Sequence, residues 1–260
     1  MIRVCVAGIT GWTGGPIARA IAAADDLELV SGVSRSAAGT SFDDLGTPIF
    51  GSVWEALERA EADVVVDYTD AAAVKENVLA ALARKTAAVV GSSGLTADDY
   101  AEIDQRAREA GVGVIAAGNF SLLAALLIRS AAGIAPHVPS WEIVDYASAR
   151  KPDVPSGTSR ELAERLGETG GAALARPLES LHGPVEARGT TVAGTQIHSV
   201  RLPSFVVSTE IVFAAEGERL TLRHDPGESP APYVAGTLLA IRSVSGRVGL
   251  TRGLDALIGS

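Results

Sequence analysis

The 260-residue chain holds one cysteine, Cys5, and that scarcity excludes an intrachain disulfide framework, cysteine-rich zinc sites and thiolate-held iron–sulfur clusters. A reducing, cytoplasmic setting is expected. Histidine is also sparse: His137, His182, His198 and His224 lie far apart and lack i, i+4 partners, so no metal site is expected. Positive charge is in deficit, with 22 Lys and Arg against 31 Asp and Glu and a net charge of -9. Phosphate backbones and anionic membranes need the opposite balance, so neither nucleic acid nor membrane is expected as a partner. The longest uncharged run, Ala110 to Ile128, is broken by Gly111, Gly113, Gly118 and Asn119 into a short strand, a polar turn and a helix start rather than a bilayer span. No export signal is expected ahead of the strand-like run from Arg3 to Gly8. What remains is a globular chain long enough for one large domain or two modest ones, each with its own core.

Up to about residue 118, short β-branched runs alternate with helical stretches, the pattern of a parallel sheet wrapped by helices. Strands are expected at Arg3 to Gly8, Leu27 to Val33, Asp63 to Tyr68, Thr86 to Gly91 and Gly113 to Ala117. Helices are expected at Gly14 to Ala24, Ser52 to Ala60, Ala71 to Arg84 and Thr96 to Ala110. Ser52 with Glu55 forms a capping-box pattern, and Thr96 with Asp98 and Asp99 places acceptors and negative charge at a helix N-terminus. After Asn119 the texture changes. Helix Leu122 to Ala135, strand Trp141 to Ala147 and helix Ser156 to Leu166 precede strand runs near Val185 to Val192, Thr195 to Leu202, Val206 to Ala214 and Arg219 to His224. That succession predicts a second, α+β domain on a mixed or antiparallel sheet. The fold class is therefore α/β, with residues 1–118 in the first domain and 119–230 in the second; the closing helix, Ala231 to Ser243, either continues the second domain or, the favoured reading, returns with residues 231–260 to the first.

Gly8-Ile9-Thr10-Gly11-Trp12-Thr13-Gly14 follows the first strand and opens the first helix. Glycines at 8, 11 and 14 let the chain turn tightly and bring backbone N–H groups to a pyrophosphate at the positive end of a helix. The spacing is G-x-x-G-x-x-G, and a sharp turn without a ligand is the alternative. Its place in a strand–loop–helix–strand unit favours a Rossmann-type dinucleotide site. The end of the second strand, where an NAD site usually carries an acidic residue, reads Gly32-Val33-Ser34-Arg35-Ser36 and has no carboxylate. Arg35 can pair with a 2′-phosphate while Ser34 and Ser36 donate hydrogen bonds, so NADPH is expected over NADH. Thr10, Trp12 and Thr13 join the glycines as expected cofactor contacts.

Five further segments resemble one family in order and spacing: Asp67-Tyr68-Thr69, Gly91-Ser92-Ser93-Gly94, Ala117-Gly118-Asn119-Phe120-Ser121, Lys151-Pro152-Asp153-Val154-Pro155-Ser156-Gly157-Thr158 and Ile197-His198-Ser199-Val200-Arg201-Leu202-Pro203. The chain resembles the 4-hydroxy-tetrahydrodipicolinate reductases of lysine biosynthesis over nearly its whole length. The resemblance implies hydride transfer from a nicotinamide cofactor to a C=N or conjugated C=C of a small cyclic carboxylate, and a homotetramer supported by the second domain. It implies cofactor contacts at Tyr68, Thr69, Gly91, Ser92, Ser93, Gly94, Asn119 and Phe120. Substrate binding falls to Lys151 and to Ser156, Gly157 and Thr158, which open a helix and so can cradle a carboxylate.

The chemistry departs from the family. Its signature E-x-H-H-x-x-K, with the first His assigned as general acid, reads here Asp145-Tyr146-Ala147-Ser148-Ala149-Arg150-Lys151. General acid catalysis supplies about 10²- to 10⁴-fold, or about 3 to 5 kcal/mol of barrier. Three readings stay open. Lys151, Tyr146 or a water gives the proton; or the substrate is an iminium outside lysine biosynthesis that needs no separate acid; or the protein is a non-catalytic NADP-binding sensor or scaffold. Arg188 and Arg201 are each either active-site residues or members of ion pairs. The histidines are expected to be structural, and Trp54 and Trp141 to pack.

Overall fold

The computed structural model describes residues 1–174 and 176–258, with the backbone alone at Asp44. The chain divides into two compact units, Met1–Ser121 with the residues from Pro230 onward, and Leu122–Ser229. In chain order the strands are β1 (Ile2–Ala7), β2 (Leu27–Val33), β3 (Ser41–Phe42), β4 (Thr47–Phe50), β5 (Val64–Asp67), β6 (Ala87–Val90), β7 (Gly113–Ala116), β8 (Ser140–Ser148), β9 (Thr190–Val192), β10 (Thr195–Leu202), β11 (Val207–Ala215), β12 (Glu218–His224) and β13 (Gly249–Arg252). The helices are α1 (Gly14–Ala22), α2 (Val53–Arg59), α3 (Val74–Ala83), α4 (Ala97–Ala110), α5 (Leu122–Ile134), α6 (Gly157–Gly167) and α7 (Ala231–Val244).

The first unit is an eight-stranded sheet in the order β13-β7-β6-β5-β1-β2-β4-β3, parallel except for the β3–β4 pair. Its central strands β5, β6 and β7 are buried at every residue, because helices cover both faces and leave no side of the strand for polar side chains. Thr96 and Asp99 close a full capping box at the start of α4. At α2 only half of the expected box forms: Ser52 accepts from the Glu55 N–H, while the Glu55 carboxylate turns to the Gly51 N–H instead. The expected helix from Ala71 starts at Val74, since the Asp70 carboxylate accepts from the N–H groups of Ala72 and Ala73 and holds a turn there. Strands β3, β4 and β13 were not anticipated; the first two are short and carry Pro48 and polar residues, and β13 begins at a glycine.

The second unit carries a five-stranded mixed sheet, β12-β11-β8-β10-β9, in which β8 and β10 run parallel and the other pairs antiparallel. Strand β8 alternates strictly between buried and half-buried residues. Trp141, Ile143, Asp145 and Ala147 face the core formed with α5 and α6, and Glu142, Val144, Tyr146 and Ser148 lie on the other face. The expected strand from Val185 is corrected: Val185–Arg188 is a 3₁₀ turn, and pairing begins only at Thr190. Pro184 fixes the chain ahead of it, and Gly189, at φ 74°, packs where a Cβ would meet the Ile197 carbonyl oxygen at 2.1 Å. No helix among the described residues is long and apolar enough to cross a membrane.

Candidate functional site

In the first unit the glycine loop leaves β1 and closes on itself, with the Gly11 N–H donating to the Gly8 carbonyl at 2.8 Å. Two glycines are dictated by close approach. A Cβ at Gly14 would lie 2.1 Å from the Gly8 oxygen, and one at Gly8, already at φ +80°, would lie 2.3 Å from the Tyr68 oxygen. The loop is thus pressed against the end of β5 as well as against α1. Thr10 and Trp12 are exposed and Thr13 half-buried at the start of α1. The Thr10 and Ser34 hydroxyls share a hydrogen bond of 2.9 Å, and Ser34 and Ser36 approach at 3.3 Å. The structure so brings three of the expected cofactor residues into one exposed hydroxyl cluster beside Arg35. A cavity of about 260 Å³ adjoins it, lined by Gly11, Gly15, Arg19 and Phe42 among others.

The next loops are gathered by one carboxylate. Asp67, 1% exposed at the end of β5, accepts on Oδ1 from the Thr69 N–H at 3.1 Å, the Thr69 hydroxyl at 2.8 Å and the Ser92 hydroxyl at 2.6 Å. Its Oδ2 accepts from the Asn77 amide at 2.8 Å. Thr69 and Ser92, on loops after adjacent strands, are therefore fixed to a common point, while Ser93 and Gly94 stay exposed. Tyr68 packs edge-on to Phe120, its hydroxyl sharing a 2.7 Å hydrogen bond with Thr237, and burial raises its pKa. The tyrosine ring also fills the place of a Gly91 side chain. Phe120, also expected at the cofactor, is 1% exposed and its ring packs in the core. Asn119 is buried and its Oδ1 accepts from the Ser121 N–H. Asn77 and Tyr233, whose ring meets that of Trp12 at 6.3 Å, were missed, since an Asn inside one helix and a Tyr opening another carry no local signal.

In the second unit a buried polar row crosses the sheet. Ser199, Asp145 and Thr209 are register partners on β10, β8 and β11, and the first turn of α6 sits over them. Asp145, 0% exposed, accepts from the Ser156 N–H and hydroxyl at 3.0 and 2.6 Å, from Ser159 at 3.2 Å, from Ser199 at 3.0 Å and from Arg201 Nη2 at 2.8 Å. Burial, the largest influence, pushes the Asp145 pKa up, but the Ser156 donors and Arg201 together outweigh it and hold it below the ordinary carboxylate value. Arg201 also donates to the Asp153 carbonyl at 2.8 Å, and Asp153 pairs with Lys151 at 2.9 Å. One guanidinium therefore ties the Lys151 loop to the strand beneath it. Lys151 keeps about a quarter of its side chain exposed, and Gly157 is half-buried.

Two expectations change here. Ser156 is buried and both of its donors serve Asp145, so its hydroxyl supports the loop instead of reaching a substrate. Thr158 is likewise buried. Tyr146 lies on the sheet face opposite Asp145 and Ala147, stacked on Phe205 at 5.3 Å with Arg223 over its ring at 4.8 Å, so its ring stands apart from the Asp145–Arg201 network that holds the Lys151 loop. Ala147, in place of the family's first histidine, is fully buried in register with Arg201. Arg188 and His198 both pair with Glu142, His198 at 2.7 Å, on the Tyr146 face. Arg201 resolves as a member of an interior ion pair. Trp141 packs as expected against Phe213, whereas Trp54 is half exposed under Arg84 at 4.6 Å. Among the described residues no group of His, Cys, Asp and Glu is arranged to hold a metal.

The comparisons with known proteins agree with one another. The sequence profile "Dihydrodipicolinate reductase, N-terminus" matches residues 2–120, and "Dihydrodipicolinate reductase, C-terminus" matches residues 121–257. A 4-hydroxy-tetrahydrodipicolinate reductase from Beutenbergia cavernae is 37% identical, over 99% of this chain and 98% of that one. One from Streptococcus pneumoniae is 35% identical over 99% of each chain. Among solved structures, a dipicolinate-bound dihydrodipicolinate reductase from a Paenisporosarcina species superposes with a TM-score of 0.77 at 28% identity, covering 99% of this chain and all of that one. An amine dehydrogenase from Mycobacterium smegmatis, at 17% identity and a TM-score of 0.65 over 96% of this chain and 94% of its own, shares the fold. With profiles and relatives spanning the whole length, the chain belongs to the dihydrodipicolinate reductase family and is an NAD(P)H-dependent oxidoreductase.

Proposed function

We propose that this chain reduces the unsaturated ring of a small dicarboxylate of the dipicolinate type with NADPH. The observation that carries the reading is the Lys151 loop. An ammonium is held by Asp153 on a segment that Arg201 fastens to Asp145, immediately ahead of the α6 N-terminus. Two sources of positive potential, Lys151 and the helix start at Gly157, thus serve one carboxylate-sized anion. In the first unit, the exposed hydroxyls of Thr10, Ser34 and Ser36 and the guanidinium of Arg35 suit a 2′-phosphate. The glycine loop supplies the N–H groups and the close approach that a dinucleotide requires, so the residues present fit the cofactor. Thr69, Ser92, Ser93 and Gly94 complete our proposed set of cofactor contacts, with Trp12, Thr13 and the backbone of Asn119.

Bound NADPH supplies a hydride to a substrate carbon. The chain's own part is to anchor the acid groups, orient the ring and manage one proton. Neither Ala147 nor Ser148 carries an acid to give that proton. Lys151 or a water molecule at its ammonium is the donor we propose. The empty chemistry at Ala147 also favours a second reading, an imino acid whose nitrogen is already protonated and which needs only the hydride. An assay of NADPH oxidation with the dipicolinate intermediate beside cyclic and acyclic imino acids tests both. Turnover is expected on the dipicolinate intermediate; turnover confined to imino acids selects the second reading, and tight NADPH binding with no turnover on either would sink both in favour of a sensor. Lys151→Ala is expected to raise KM for the acid more than it changes NADPH affinity.

A further inference from the structure

We propose that Asp70 sets how strongly this chain prefers NADPH over NADH, by holding Arg35 in the unliganded protein and opposing the 2′-phosphate when it arrives. This rests on the reading of Arg35 as the 2′-phosphate partner and adds the residue that works against it. The sheet order β5-β1-β2 places the ends of β5 and β2 on either side of the glycine loop that follows β1. Asp70 follows β5 and Arg35 follows β2. The Arg35 guanidinium reaches back to Asp70 Oδ2 at 3.6 Å, so the pair joins the two rims across the loop that receives the dinucleotide.

The two partners are not equally free. Asp70 Oδ1 accepts from the Ala72 and Ala73 N–H groups at 2.9 and 3.0 Å, which fixes the carboxylate and leaves Oδ2 for Arg35. The Arg35 side chain is 80% exposed and rests on a short 3₁₀ turn. Arg35 is therefore the partner that can move. An exposed ion pair is weak, whereas a phosphate offers a guanidinium several charged acceptors with matching geometry, so the 2′-phosphate takes Arg35 from Asp70. The carboxylate then stays where its backbone bonds hold it, with its negative charge close to the phosphate. NADH carries no 2′-phosphate and escapes this cost. Asp70 thus narrows a preference that Ser34, Arg35, Ser36 and Thr10 create.

The experiment measures dissociation constants of NADPH and NADH, by nucleotide fluorescence on the full chain, for the wild type, Asp70→Asn and Arg35→Ala, at low and high salt. Asparagine keeps an oxygen for the Ala72 and Ala73 N–H groups, and Asp70→Ser offers another should the first variant fold poorly. Removing the charge is expected to raise the NADPH-to-NADH affinity ratio about three- to tenfold at low salt, the size of one charge at contact distance in a high-dielectric setting. The gain should shrink at high salt. Arg35→Ala should lower the ratio. A ratio that stays level or falls in Asp70→Asn while Arg35→Ala lowers it overturns the role of Asp70 and leaves the NADPH reading standing. A ratio unmoved by either variant overturns both.

Discussion

Each unit buries an aspartate within a sheet and uses it to gather loops, but the two aspartates are neutralised differently. Asp145 has a cation, Arg201, in addition to serine donors, and its neighbours hold the Lys151 loop. Asp67 is surrounded by the neutral donors of Thr69, Ser92 and Asn77. A buried carboxylate costs several kcal/mol in desolvation unless partners replace the lost water, and the two environments meet that cost by charge in one unit and by dipoles in the other. The difference makes opposite demands on mutation. Charge pairing fails badly when one member is neutralised, because the other is orphaned; a set of neutral dipoles can rearrange.

The same substitution applied to both residues is the strongest way to break the comparison. Asp145→Asn leaves Arg201 part-buried without its counter-charge and should cost about 3 to 5 kcal/mol. Asp67→Asn should cost about 1 kcal/mol: its amide oxygen can still accept from Thr69 and Ser92, and Asn77 can reverse its own amide to meet the new N–H group. Denaturant unfolding checks both, followed by circular dichroism for the whole chain and by tryptophan fluorescence for the second unit. Trp141 is buried in the second unit, while Trp12 and Trp54 of the first are half exposed, so the fluorescence shift follows chiefly the second unit. Equal costs for the two variants would show that Arg201 contributes no special pairing.

Acid should separate the units further. All four histidines fall within residues 122–229. Burial lowers the pKa of His224, with Asp225 opposing the shift and not prevailing. A histidine held neutral in the fold contributes stability above its unfolded pKa of about 6.5 that is lost as pH falls through its lower folded value. Asp145 behaves as a depressed carboxylate: its contribution is present above an unfolded pKa of about 3.9 and goes only as pH falls below that. The second unit should therefore lose stability in two steps on acidification, and His224→Gln should abolish the first. A first step that survives in His224→Gln would assign it to another group.

What could be seen in the sequence divides along the same physical line. Features set by near neighbours were legible: the glycine loop, the Thr96 cap and the strands whose apolar residues need no partner to be recognised. The carboxylate-free rim at Ser34 to Ser36 was legible because it follows a strand at a fixed distance. The polar row was not, since Ser199 and Thr209 become neighbours of Asp145 only through strand pairing, and Ser156 looked like a free helix cap because its consumer stands eleven residues earlier. The surroundings of Tyr146 were hidden for the same reason, as strand parity turns its ring away from Asp145 to Phe205 and Arg223, neither of which is near it in the sequence. The short β3 and β4 lack the length over which periodicity can be read.

Removing one neutral donor from each carboxylate gives the finest test. Ser92→Ala deletes the 2.6 Å hydrogen bond to Asp67, and among the described residues no cation pairs with Asp67 to take up the slack. Ser199→Ala deletes a 3.0 Å bond to the Asp145 oxygen that Arg201 and the Ser156 N–H also reach. The first change should cost about 1 kcal/mol and the second a few tenths: both oxygens keep two other donors, but only the Asp145 oxygen keeps a charged one. Kinetics should follow the loops that each residue holds. Ser92→Ala frees a loop we assign to the cofactor and should raise KM for NADPH, whereas Ser199→Ala leaves Arg201 in place and should leave KM for the acid near its wild-type value. If instead Ser199→Ala is the costlier change, the guanidinium cannot compensate for a lost hydroxyl, and charge confers no greater tolerance than dipoles.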